Sequence, residues 1–175
     1  MLKPFFFLII ISLFQSCNNS SKSSPKESQT IQVQPKSLSI EFSFKTSQAD
    51  EFKIMMNNIT VDELQKKNIH IFEDVVPSTS DDVIVANFDP ENLSKEIFCH
   101  LGNKVEKEVT IKGVLITYGD KQFNLTSTED FNKHLDFNKF IERDSTSNKL
   151  STKRVGGKLN PWFRIKNSLI NQLQR

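Results

Sequence analysis

Two segments between residues 38 and 56 alternate apolar and polar residues. Leu38, Ile40, Phe42 and Phe44 are separated by Ser39, Glu41 and Ser43, and Phe52, Ile54 and Met56 repeat the pattern. In an extended chain successive side chains point to opposite faces, so a two-residue period with one polar face marks a strand covered on one side only. A helical stripe returns at three or four residues and cannot follow this spacing. Such strands need a second apolar face to cover them.

Further segments carry strand signals. Residues 68–76 and 82–88 read as strands separated by the turn-forming Pro77-Ser78-Thr79-Ser80, and Asp89-Pro90-Glu91-Asn92 ends the second. Residues 96–101 form another, stopped by Gly102-Asn103. Residues 109–118, with Gly113 as a candidate bulge, turn at Gly119-Asp120 and return over residues 121–125. A last strand is expected over residues 137–141. Thr60 and Glu63 form a capping box for a short helix over residues 61–67. Ser127 caps a helical turn over residues 128–135.

Residues 144–158 read as loop. Asn160-Pro161 then offers a capping side chain followed by proline at a first helical position. Trp162, Ile165, Leu169, Ile170 and Leu173 share one face of the resulting helix. That stripe packs on the domain, or alternatively docks into a partner's groove. The expected class is all-β: an antiparallel, jelly-roll-like sandwich with one or two short helices and a C-terminal amphipathic helix. The expected divisions are a sandwich domain at 38–143, a loop at 144–160 and the helix at 161–175.

The N-terminus has a different character. Lys3 precedes an apolar run of ten residues from Phe5 to Phe14, of which only Ser12 is polar. Ten is half the length that spans a bilayer, but it suits the core of a signal peptide, residues 1–16. The stretch Leu13-Phe14-Gln15-Ser16-Cys17 resembles the lipobox of bacterial lipoproteins, in the looser form of bacteroidete-type ones. The resemblance implies cleavage before Cys17 and acylation of that residue, with palmitate-like chains holding the protein to a membrane. Asn18 follows where an aspartate resembles an inner-membrane retention signal, so the outer membrane is expected, with the domain facing the periplasm. Residues 17–37 contain six serines, two prolines and three glutamines. Such a tract is too polar to order itself, and as a tether of about 20 residues it reaches roughly 25 Å.

The segment from Asp82 to Leu125, a strand ending in Leu101-Gly102 and then the hairpin from Val109 to Gly119, resembles the galactose-binding-like jelly rolls of envelope proteins. The likeness is one of apolar spacing and carries over no binding residue. Such jelly rolls often hold a calcium ion, which would place one near Asp81, Asp82 or Asp89. Otherwise no cofactor is expected.

Charge divides unevenly. Residues 149–175 hold seven bases and no acid, and the rest of the chain has 16 bases and 21 acids. A basic end can meet phosphates or anionic glycans, or be a solvated tail. An exported protein meets little nucleic acid, so no such partner is expected. Cys99, with Cys17 acylated, has no partner and reads as a small buried hydrophobe. His70, His100 and His134 lie at least 30 residues apart and make no metal motif. The acid pairs Asp50-Glu51, Asp62-Glu63, Glu73-Asp74, Asp81-Asp82 and Glu129-Asp130 read as solvated loop charges. Fifteen phenylalanines against one tryptophan and one tyrosine leave few stacking platforms for sugar. Trp162, read first as a helix-to-core anchor, is with Arg164 and Lys158 the candidate ligand contact. No catalytic residue is assigned.

The expected function is a lipid-anchored envelope protein whose non-enzymatic sandwich binds a protein or a glycan. The alternatives are a small accessory hydrolase of envelope glycans and a secreted, unlipidated interaction protein.

Overall fold

The alternating segments pair into two antiparallel sheets that close over a shared apolar layer. The computed structural model describes residues 36–57, 68–88 and 93–175, and of residues 68–70 the backbone alone. The signal segment, Cys17, the tether before Lys36, the helix expected at 61–67 and Asp89 lie outside the described residues.

A six-stranded sheet runs in the order β4-β1-β6-β10-β9: β4 (Asp82–Phe88), β1 (Leu38–Thr46), β6 (Glu108–Tyr118), β10 (Lys149–Thr152) and β9 (Ile141–Arg143). The sixth strand, β7 (Lys121–Leu125), pairs with the second half of β6. The five-stranded sheet runs β3 (Asn68–Val75), β2 (Asp50–Asn57), β5 (Glu96–His100), β11 (Trp162–Ile165) and β8 (Leu135–Phe137). Every pairing is antiparallel. The fold is an all-β sandwich, as the alternation requires.

Inward residues of both sheets make one core. Phe42 stacks on Phe44 at 4.8 Å and meets Phe163 of the opposite sheet edge-on at 5.4 Å. Phe44 reaches Phe52 across the sandwich at 4.9 Å. Aromatic pairs at these spacings add about 0.5–1.5 kcal/mol each to the burial of their area. The β1–β6 register slips between Ser43 and Phe44, opposite Gly113 and Ile111, so the bulge forms beside the glycine the sequence singles out. Helix α1 (Thr128–His134) starts on Ser127, whose hydroxyl accepts from the Asp130 N–H while the Asp130 carboxylate accepts from the Ser127 N–H.

The C-terminal third departs from expectation. Residues 162–165 are not helical: they form β11, inserted between β5 and β8. Helix α2 (Asn167–Gln174) starts six residues later than the Asn160-Pro161 signal implies, and it buries Leu169, Ile170 and Leu173. Phe163 and Ile165 face the core while Trp162 and Arg164 face out, a two-residue period too short to stand out in sequence. The expected loop at 144–160 contains β10. The sandwich therefore continues past residue 143 as far as α2. The strand expected at 137–141 is two strands in different sheets. Between them Asn138 holds the crossing, its Nδ2 donating to the Asn160 carbonyl at 2.7 Å and its Oδ1 accepting from the Phe140 N–H at 3.2 Å.

At the β1–β2 corner a charged pair is fully buried. Lys107 Nζ lies 2.6 Å from Asp50 Oδ2, and neither side chain is exposed. Lys107 also donates to the Leu101 carbonyl at 2.8 Å. Asp50 accepts from the N–H groups of Glu51 and Lys104. Asp50 is thus not the solvated turn charge its sequence position suggests. Gly102, at φ +77°, passes so close that a Cβ there would lie 2.2 Å from the Asp50 carboxyl carbon. Burial alone would raise the Asp50 pKa, but the Lys107 hydrogen bond, the two N–H donors and the Lys107 charge hold it below the usual carboxylate range. Burial pushes Lys107 down, with Asp50 opposing.

Removing one partner strands a buried charge. Lys107→Met is expected to cost about 3–5 kcal/mol in urea unfolding, and the double change Asp50→Asn with Lys107→Met less than that. The depressed Asp50 pKa adds stability that is complete above an ordinary aspartate pKa of about 3.9 and is lost as pH falls through its lower folded-state value. Acid unfolding followed by circular dichroism will show a smaller loss over that range in the double variant.

Candidate functional site

The outward residues of the five-stranded sheet are unusually aromatic for a solvated face. The register aligns Phe72, Lys53, His100 and Trp162 in one row across β3, β2, β5 and β11. Strand spacing gives the row a length of roughly 14 Å. Met55, Phe98, Arg164 and Asp136 follow in the next row, crossing into β8. Phe98 meets Trp162 edge-on at 5.1 Å. Lys53 Nζ lies 5.6 Å from the centre of the Phe72 ring, which is 55% exposed. Arg164 grips Asp136 through Nε at 3.0 Å and Nη2 at 2.9 Å, and Lys166 approaches the other oxygen at 3.7 Å.

A cavity of about 130 Å³ opens at one end of this row. Its walls are Glu51, Lys53, Phe72, His100, Gly102, Asn103 and Asn160. Gly102 belongs equally to the buried Asp50 corner, so the ion pair and the cavity share a wall.

The structure brings two of the three candidate ligand contacts together. Trp162 and Arg164 stand on the same face in adjacent rows. Lys158 does not join them: it is exposed in the Gly156-Gly157 turn, bridged to Val155. Trp162 is no helix anchor, because its strand turns it outward. The sequence gives no warning of Phe72, Phe98 and Lys53 as a group. The available signal is a break in alternation, where Phe98 occupies an outward position between the buried Ile97 and Cys99.

Cys99 is buried, and burial pushes its thiol pKa well up. Asp81 and Asp82 lie at the β3–β4 connection, with Asp81 paired to Lys45 at 3.5 Å. Among the described residues no group of three His, Cys, Asp or Glu stands close enough to hold a metal. A wider, open depression of about 500 Å³ lies on the other sheet beside Glu108, Glu142, Arg143 and Lys149. Both glutamates are exposed, Glu108 bound by Lys149 at 2.7 Å and Glu142 by Lys153 at 2.5 Å.

Of the histidines, His70 lies on β3 opposite Met55, and His100 in the row. His134 ends α1, buried, with Nδ1 unpartnered among the described residues. Burial holds its pKa below the ordinary value; Lys133 and Lys166 push the same way and Asp130 opposes them. The unfolded chain then binds the proton more readily, so this contribution is complete above a pH of about 6.5 and is lost as pH falls below it. Tm is expected to fall between pH 7 and pH 5 by more in the parent protein than in His134→Gln, measured by scanning calorimetry.

Comparison with protein-family models, with curated proteins and with solved structures finds no match to this chain.

Proposed function

We propose that this chain is a lipid-anchored envelope protein whose β-sandwich is a non-enzymatic interaction domain. It binds a protein or glycan partner through the outer face of the five-stranded sheet. The observation that carries this reading is the row of Phe72, Lys53, His100 and Trp162. Solvated sheet faces are ordinarily polar, and exposed aromatic clusters mark contact surfaces.

The direction of β1 supports it. Lys36 and Ser37 pack at the β6–β7 turn, where the Gly119 N–H donates to the Ser37 carbonyl at 3.3 Å and Lys36 lies 3.9 Å from Asp120. From there β1 runs nine residues, roughly 30 Å, to the corner that holds Asp50. The cavity is built at that far corner. With Cys17 acylated and the following polar tract as tether, the cavity end is the one able to point away from the membrane.

Two measurements test the reading. A photo-cross-linking residue at position 72 in intact cells is expected to capture a protein or a glycan, and the same residue at position 83, on the other sheet, to capture neither. Equal capture from both positions removes the face from the proposal. Mass spectrometry of the mature N-terminus is expected to find an acylated Cys17. An unmodified peptide running through Cys17 sinks the anchor.

A further inference from the structure

We propose that the cavity at the end of the aromatic row takes one sugar ring of an uncharged glycan. This rests on the reading of the same sheet face as the partner surface and narrows it. A volume of about 130 Å³ is close to the ~150 Å³ cavity that accommodates a benzene molecule, so one six-membered ring fits. The walls suit a pyranose. The ring of Phe72 offers an apolar face for the C–H side of a sugar, as aromatic rings do for other flat ligands. Asn103 and Asn160 carry amides that both donate and accept, which hydroxyls require. Glu51 adds an acceptor, and Lys53 and His100 complete the lining. The lining is mostly polar, with Phe72 its one large apolar side chain, a balance that suits a ligand rich in hydroxyls.

Charge selects the class of ligand. Glu51 and Lys53 carry opposite charges in the same wall, and Arg164 in the next row is already held by Asp136. With Asp74 beside Glu51, and Glu96 and Asp136 on the same face, acids outnumber bases, so the face does not attract an anionic polymer. An uncharged polyol complements it, and no existing ion pair has to break. Beyond the cavity, Trp162 extends the row one strand past His100, so a neighbouring sugar unit has a surface to lie along.

The test uses the full mature chain in detergent against immobilised uncharged oligosaccharides: chitohexaose, cellohexaose and laminarihexaose. Retention on at least one is expected, with titration calorimetry then showing Phe72→Ala weaker by about tenfold or more. Asn103→Ala, an exposed loop change that leaves the core intact, is expected to weaken binding as well. Val83→Ala on the opposite sheet should stay within about twofold. Retention on none of the three, or unchanged binding in both Phe72→Ala and Asn103→Ala, overturns the inference. If a protein is still captured from position 72 in that case, the glycan falls and the interaction surface stands. If nothing is captured either, both fall.

Discussion

The ion pair between Asp50 and Lys107 is the interaction on which the rest of the architecture depends. Two charges leave water at the corner where the chain first passes from the six-stranded sheet to the five-stranded one. The pair is tolerable there because its hydrogen-bonding groups are well supplied: the carboxylate takes three donors, and the ammonium gives to Asp50 and to the Leu101 carbonyl while lying 5.8 Å from the Phe52 ring. An apolar pair of equal volume is often no less stable than a buried ion pair. What the charges add here is position. They fix the 101–107 segment against the start of β2. Lys107 then exchanges hydrogen bonds with Thr152, through its N–H at 2.8 Å and its carbonyl at 2.9 Å, which ties β10 to the same point. Both sheets thus converge on one buried contact.

The two faces of the sandwich differ in what their outward positions carry. On the six-stranded sheet the outward row through the middle of β1 reads Val85, Glu41, Leu115 and Asn124, mixed and mostly wet. On the five-stranded sheet the outward rows collect Phe72, Phe98 and Trp162. These aromatics gain nothing from the core, since Phe52, Ile54, Cys99 and Phe163 already fill the inner side of the same strands. Phe98 and Trp162 instead pack on each other, edge to face at 5.1 Å. The cavity forms where this face meets the loop that Gly102 lets pass close to Asp50.

The legible parts of the fold were those where one face is core over many residues. β1 and β2 announce themselves by alternation, β4 and β6 by apolar runs between turn residues, and Ser127 announces α1. The four strands after residue 134 are three or four residues long, which allows at most two inward positions each. No period can be read from two points. Around Trp162 local chemistry actively misleads: Asn160-Pro161 imitates a helix start, while pairing to β5 and β8 imposes an extended chain. Tertiary pairing outweighs a local propensity worth a fraction of a kcal/mol per residue. The Asp50–Lys107 pair was illegible because its halves stand 57 residues apart. The aromatic row was illegible because it joins four strands, each contributing one residue.

The late arrival of β11 sets the order in which the molecule can be completed. Among the described residues β8 pairs with β11 alone, and β5 keeps an open edge until residues 162–165 are in place. A chain growing from its N-terminus can pair β1 with β4 and β6 well before that. The face that carries Trp162 waits for residues 162–165. Contacts across such separations are slow to form. Until residues 162–165 are in place the five-stranded sheet lacks the strand that joins β5 to β8, and without them the outer face loses Trp162 and Arg164.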